Sequence, residues 1–205
     1  MAGWKQPTGK WMVAKAVSLQ KNDPHLFAIE PGTGIFLNGQ TGKVPNLIGE
    51  TGHGDCEAHI EFCVSSNSNS GVYFQGRYEV QILDSWGKKE PSSSDCGGIY
   101  QRWKDDKGFE GHAPLANASK RPGDWQSFDV VFRAPRFDVN GRKVENARFV
   151  KIFHNGKLIH QNVEVTGPTR SSAFNDEKAN GPLMLQGDHG PVAFRNLWLK
   201  PRELK

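Results

Sequence analysis

Cys56-Glu57-Ala58-His59-Ile60-Glu61-Phe62-Cys63-Val64 is the stretch that decides the fold. Ala58, Ile60, Phe62 and Val64 fall on one face of an extended chain. Glu57, His59, Glu61 and Cys63 fall on the other. That period-two alternation describes a strand with one buried and one wet side. Residues 65–71, rich in Ser and Asn, then read as a loop.

Two further strands follow, over 72–75 and 78–84, around Gly76-Arg77. In the second, Tyr78, Val80 and Ile82 face one way, and Glu79, Gln81 and Leu83 the other. A strict two-residue turn would put Val72 and Phe74 on the face of Glu79, and a bulge would reverse that. Upstream, short strands are expected over 10–17, 26–29, 34–37 and 46–49. Downstream, residues 128–133 form another. The clearest hairpin is 147–154 and 157–165 around Asn155-Gly156, a pair that tolerates two positive φ angles. The last pair, 182–186 and 192–199, flanks Gly187-Asp188-His189-Gly190. Residues 85–124 are a long excursion with one short strand at 98–100. Its Tyr100, Trp103, Phe109 and His112 could close over a ligand or pin the loop to the body. No segment keeps a helical period. The expectation is an all-β sandwich of two packed antiparallel sheets, with residues 1–205 as one domain.

Composition excludes several classes. The 205 residues are 36% apolar and 23% charged, which suits a packed core rather than a disordered tail. The excess of 26 basic over 22 acidic residues, net +4, is spread thinly, unlike a nucleic-acid stripe. No apolar run approaches the 18 or so residues of a membrane span. The start, Met1-Ala2-Gly3-Trp4-Lys5, has no apolar secretory stretch, so the chain is expected to be cytosolic or to have lost an export segment. Of three cysteines, Cys56 and Cys63 would lie about 23 Å apart along one strand and cannot bridge. A Cys56–Cys96 or Cys63–Cys96 disulfide is one alternative, and three buried thiols the other.

The candidate chemistry sits in strands. Glu61, Glu79 and Gln81 alternate with core residues, so they line a cleft if their faces meet in one hollow. His189 lies between glycines that let the chain turn and expose the imidazole, a side chain suited to taking a proton. Arg195, in the next strand, could hold a carboxylate or a sugar hydroxyl. His59 and Glu61 could both touch one metal, though two ligands make a weak signal. No nucleophile elbow, phosphate loop or dinucleotide fingerprint is present.

The run Asn69–Ser85 resembles the 3-keto-disaccharide hydrolase domain family, concanavalin-like proteins. Supporting pieces are Asp95-Cys96-Gly97-Gly98-Ile99-Tyr100, Pro122-Gly123-Asp124-Trp125-Gln126, Phe132-Arg133-Ala134-Pro135-Arg136, His154-Asn155-Gly156, Gly167-Pro168-Thr169 and Leu185-Gln186-Gly187-Asp188-His189-Gly190-Pro191-Val192, continuing through Phe194–Trp198. The resemblance implies a concanavalin-like, jelly-roll β-sandwich with a concave sugar-binding sheet, bacterial export, often to the periplasm, and action on glycosides already oxidised at C3. A C3 ketone acidifies the C2 proton; its removal lets the enolate expel the C1 substituent, and water adding back completes a net hydrolysis. On that reading Glu79 or His189 is the base, and Gln81, Arg195 or a bound divalent cation stabilises the enolate. His59, Glu61, Tyr100, Trp103, Gln186, Asp188 and Arg195 would bind the sugar. Two rivals stand beside it: a two-carboxylate glycosidase using Glu61 and Glu79, and a carbohydrate-binding module without chemistry.

Overall fold

The computed structural model describes residues 3–5 and 9–204; Met1 and Ala2, on which part of the leader reading falls, lie outside the described residues. Among these residues there is no helix and there are fifteen strands. In chain order they are β1 (Met12–Leu19), β2 (Phe27–Leu37), β3 (Leu47–His53), β4 (Cys56–Val64), β5 (Asn69–Phe74), β6 (Tyr78–Leu83), β7 (Arg102–Lys104) and β8 (Lys107–Phe109). Then follow β9 (Gln126–Arg133), β10 (Arg136–Phe137), β11 (Lys143–Glu145), β12 (Ala147–His154), β13 (Lys157–Val165), β14 (Gly181–Leu185) and β15 (Val192–Pro201). Two antiparallel sheets form the jelly-roll sandwich. One has seven strands in the order β1-β2-β15-β4-β9-β12-β13, and the other four, β3-β14-β5-β6.

The alternation in β4 does what its pattern dictates. Ala58, Ile60, Phe62 and Val64 enter the core between the sheets. They meet Phe128, Val130 and Phe132 from β9, and Val72, Phe74, Tyr78 and Val80 from the facing sheet. Aromatic pairs tie the layers: Phe74 lies 5.2 Å from Phe132 between ring centroids, and Tyr78 lies 5.6 Å from it. Cys63 points the other way, into a smaller cluster with Phe27, Leu37 and Ala193.

The 147–165 hairpin closes as expected, with His154 opposite Lys157 and positive φ at Asn155 and Gly156. The segments 26–29 and 34–37 are two ends of one strand, β2, which stays paired to β1 through a register shift near Ala14 and Ala16. All three cysteines are free and buried, each thiol pushed up to about 12, chiefly by burial. Both disulfide alternatives are therefore set aside.

The β5–β6 connection corrects the two-residue reading. Phe74 pairs with Tyr78, so Gln75, Gly76 and Arg77 form a three-residue loop, with positive φ at Gln75 and Gly76. The extra residue puts Tyr73 opposite Glu79 and Gly71 opposite Gln81, so these four share the outer face and Val72 and Phe74 face the core. A buried histidine fixes the loop. Nε2 of His53 accepts from the Gln75 amide at 3.0 Å, and Nδ1 donates to the Gly54 carbonyl at 2.9 Å. Burial lowers this imidazole to about 4, against the opposing Gly54 bond, so it stays neutral and keeps its acceptor.

Candidate functional site

The outer face of the four-stranded sheet carries a small pocket of about 180 Å3, walled by Asn69, Tyr73, Glu79, Gln81, Tyr100, Arg170, Ser171, Gln186 and His189. Three crossing segments build it. Residues 97–100 run along β6: the Gln81 amide donates to the Gly98 carbonyl at 2.8 Å, and the Tyr100 amide to the Glu79 carbonyl at 3.1 Å. That placement delivers Tyr100. Residues 168–173 form a strap, held where the Thr169 hydroxyl donates to the Arg77 carbonyl at 3.0 Å and accepts from the Glu79 amide at 3.2 Å. Arg77 is buried and anchors the strap's far side, with Nη2 2.6 Å from Asp176 and its guanidinium 4.7 Å from the Phe174 ring centroid.

The third segment is the Gly187–Gly190 turn. Asn38 holds it from below, donating to the carbonyls of Gly187 at 3.0 Å and Gly190 at 2.8 Å. Gly42 packs so closely there that a Cβ would fall 1.9 Å from the Gly190 carbonyl carbon. The turn lifts His189 into solvent at the pocket wall. Its Nδ1 lies 2.5 Å from Asp188 Oδ1, so a side chain adjacent in sequence orients the ring.

Glu79 sits at the bottom, 2% exposed. Burial, reinforced by the Asp188 charge and opposed by a hydrogen bond with the Tyr73 hydroxyl, raises its carboxyl to about 8. It therefore holds a proton at neutral pH. Burial and Glu79 together push the Tyr73 phenol upward, so it too stays protonated. Gly71 makes the space: a Cβ there would lie 2.1 Å from Glu79 Oε1. Gln81 commits both side-chain N–H groups, to the Ser94 carbonyl at 3.2 Å and to Asn69 Oδ1 at 3.4 Å, so they are not free for the enolate role expected of it. Arg170 presents its guanidinium without a carboxylate partner among the described residues; its contact is the Trp103 ring, 3.7 Å away.

Of the residues expected to act together, Glu79, Gln81, Tyr100, Gln186 and His189 line this pocket, and Asp188 adjoins it. Trp103 stands beside it, on a neighbouring groove. His59, Glu61 and Arg195 do not join them. They occupy the outer face of the seven-stranded sheet, where β4 pairs β15. There Arg195 Nε donates to Glu61 at 2.6 Å, His59 Nδ1 lies 2.6 Å from Asp129, and His59 stacks on Trp198 at 5.9 Å. Burial would raise Glu61, but hydrogen bonds from Asn196 and Arg195 hold it below the ordinary glutamate range. The expected single hollow is thus two separate faces, because β4 and β6 belong to different sheets. A Glu61–Glu79 glycosidase pair has no geometry here. The described residues include no group of three or more His, Cys, Asp or Glu side chains that could hold a metal ion.

Tyr73 and Arg170 escaped the sequence reading. Tyr73 could have been found from a three-residue β5–β6 loop; Arg170, on an irregular strap, left no periodic signal.

Relatives support this architecture. A candidate glycosyl hydrolase of Parabacteroides distasonis superposes with a TM-score of 0.70 at 25% identity, over 98% of this chain and 79% of its own. A second from the same organism gives 0.59 at 14% identity, over 94% of this chain and 89% of its own, and shares the fold. A third gives 0.57 at 18%, over 94% and 100%. No curated protein matches the chain. The sequence profile of the 3-keto-alpha-glucoside-1,2-lyase-like domain matches residues 1–200, and the chain belongs to that family.

Proposed function

We propose that this carbohydrate-processing protein cleaves 3-keto-glycosides by proton abstraction at C2 and elimination of the C1 substituent, followed by hydration. The carrying observation is a pocket that combines an oriented histidine, a protonated buried carboxyl and an unpaired guanidinium. Asp188 holds Nδ1 of His189, which leaves Nε2 to take the C2 proton. The electrons move onto the C3 oxygen, where the Arg170 guanidinium offers N–H donors. The enolate then expels the C1 oxygen, which takes its proton from Glu79. In the second half, Glu79 accepts a proton from water attacking C1, and His189 returns its proton to C2. Both groups are restored, and the net change is hydrolysis. The scheme needs no covalent nucleophile, in keeping with the missing serine motif.

Incubation with a chromogenic 3-keto-glucoside, with and without divalent cation, tests this reading. Release of the chromophore, passing through an absorbing C1–C2 enone, is the expected result. Intact substrate under every condition, together with measurable sugar binding, would leave a binding module instead.

A further inference from the structure

We propose that the groove beside Glu79's pocket is the subsite for the group leaving C1, and that it selects ring-sized substituents through Trp103. The inference rests on the reading of the pocket as the place where the C1–O bond breaks. The pocket, at about 180 Å3, is smaller than the roughly 300–1,000 Å3 of drug-sized sites. It takes one sugar ring, so a second ring must lie outside. The groove holds about 340 Å3 and shares two wall residues with the pocket, Arg170 and Ser171. Its remaining walls include Trp103, Pro168, Ser172 and Asn175.

Three features make it a built surface. Trp103 is 41% exposed on the β7–β8 hairpin, with part of its ring free for apolar contact. Arg170 stacks on that ring, which places its N–H donors at the junction of the two cavities. Ser171, at the same junction, holds φ at +63°, a conformation uncommon for a residue with a Cβ. A substituent crossing the junction would meet the guanidinium first and the indole next, polar contact before apolar.

The test compares kcat/KM for a 3-keto-disaccharide with that for methyl 3-keto-glucoside. The wild type is expected to prefer the disaccharide. Trp103→Ala should reduce that preference about tenfold or more, as removal of a specificity contact does. Asn175→Trp obstructs the groove at an exposed position away from Glu79, and should do the same while sparing the methyl glycoside. Equal losses on both substrates in Trp103→Ala, the mark of a residue that only props Arg170, would overturn the subsite, as would an unchanged preference in both variants. If the wild type turns over the methyl glycoside but not the disaccharide preferentially, the subsite falls and the reaction stands. If it turns over neither, the reaction falls; titration with unmodified disaccharide then decides the groove, with binding lost in Asn175→Trp supporting it and binding absent or equal in both proteins refuting it.

Discussion

The two outer faces of the sandwich start from the same kind of strand. β4 displays His59 and Glu61 between core residues, and β6 displays Glu79 and Gln81. Their fates differ because of what crosses them. β6 is roofed by residues 97–100, the 168–173 strap and the 187–190 turn, so Glu79 is 2% exposed and holds its proton at neutral pH. β4 is flanked by β9 and β15, so Glu61 keeps 21% of its side chain in solvent and is neutralised by Arg195. Strand alternation supplies an outward carboxylate in both places. Only irregular segments, by excluding water, turn one of them into an acid that can donate at pH 7.

Activity should break the symmetry most sharply. Glu79→Gln and His189→Ala are each expected to lower turnover about 100-fold or more, since each removes a proton carrier. Glu61→Gln should stay within about twofold of wild type, surface groups away from the site having small effects. Wild-type rates in the first two would defeat the assignment.

Next in size is the pH dependence of stability. Glu79 is raised from 4.5 to about 8 on folding, so its favourable neutral form contributes fully below pH 4.5, and that contribution is lost as pH rises to about 8. Glu79→Gln removes this alkaline slope. The melting difference between variant and wild type should therefore grow from pH 5 to 8, by about 2 kcal/mol or more. The acid side runs oppositely. His53, His154 and His160 are lowered to about 4 by burial, so their contribution is present above pH 6.5 and is lost as pH falls toward 4, in both proteins. A flat difference across pH 5–8 would show that Glu79 ionises freely.

Gly71→Ala is a smaller perturbation. Its Cβ would displace the Glu79 carboxyl, costing about tenfold in turnover and about 1–3 kcal/mol in stability by overpacking. Kinetics and denaturant melts read both. The smallest effect is expected from Arg195→Ala, which breaks the Glu61 ion pair on the half-exposed face; it should cost at most about 1 kcal/mol and leave turnover unchanged. A tenfold activity loss there would join the two faces functionally.

Much of this was legible along the chain. The period of two in β4, the Asn155-Gly156 turn and the absence of any helical period determined an all-β sandwich, because burial of alternate residues is a local property of an extended strand. The outward direction of Glu79 and Gln81 followed from the same rule. What periodicity could not carry was which strands share a sheet. Glu61 and Glu79 have identical local patterns, and only pairing of β4 with β15 and of β6 with β5 sends them to opposite sides of the core. Tyr73 depended on one residue in a loop, set by the His53–Gln75 contact 22 positions apart. Arg170 depended on the strap's attachment to Arg77. Local alternation, then, determined which side chains leave the core. Contacts between segments distant in sequence decided which of them meet, because their closeness follows from the folded topology and not from spacing along the chain.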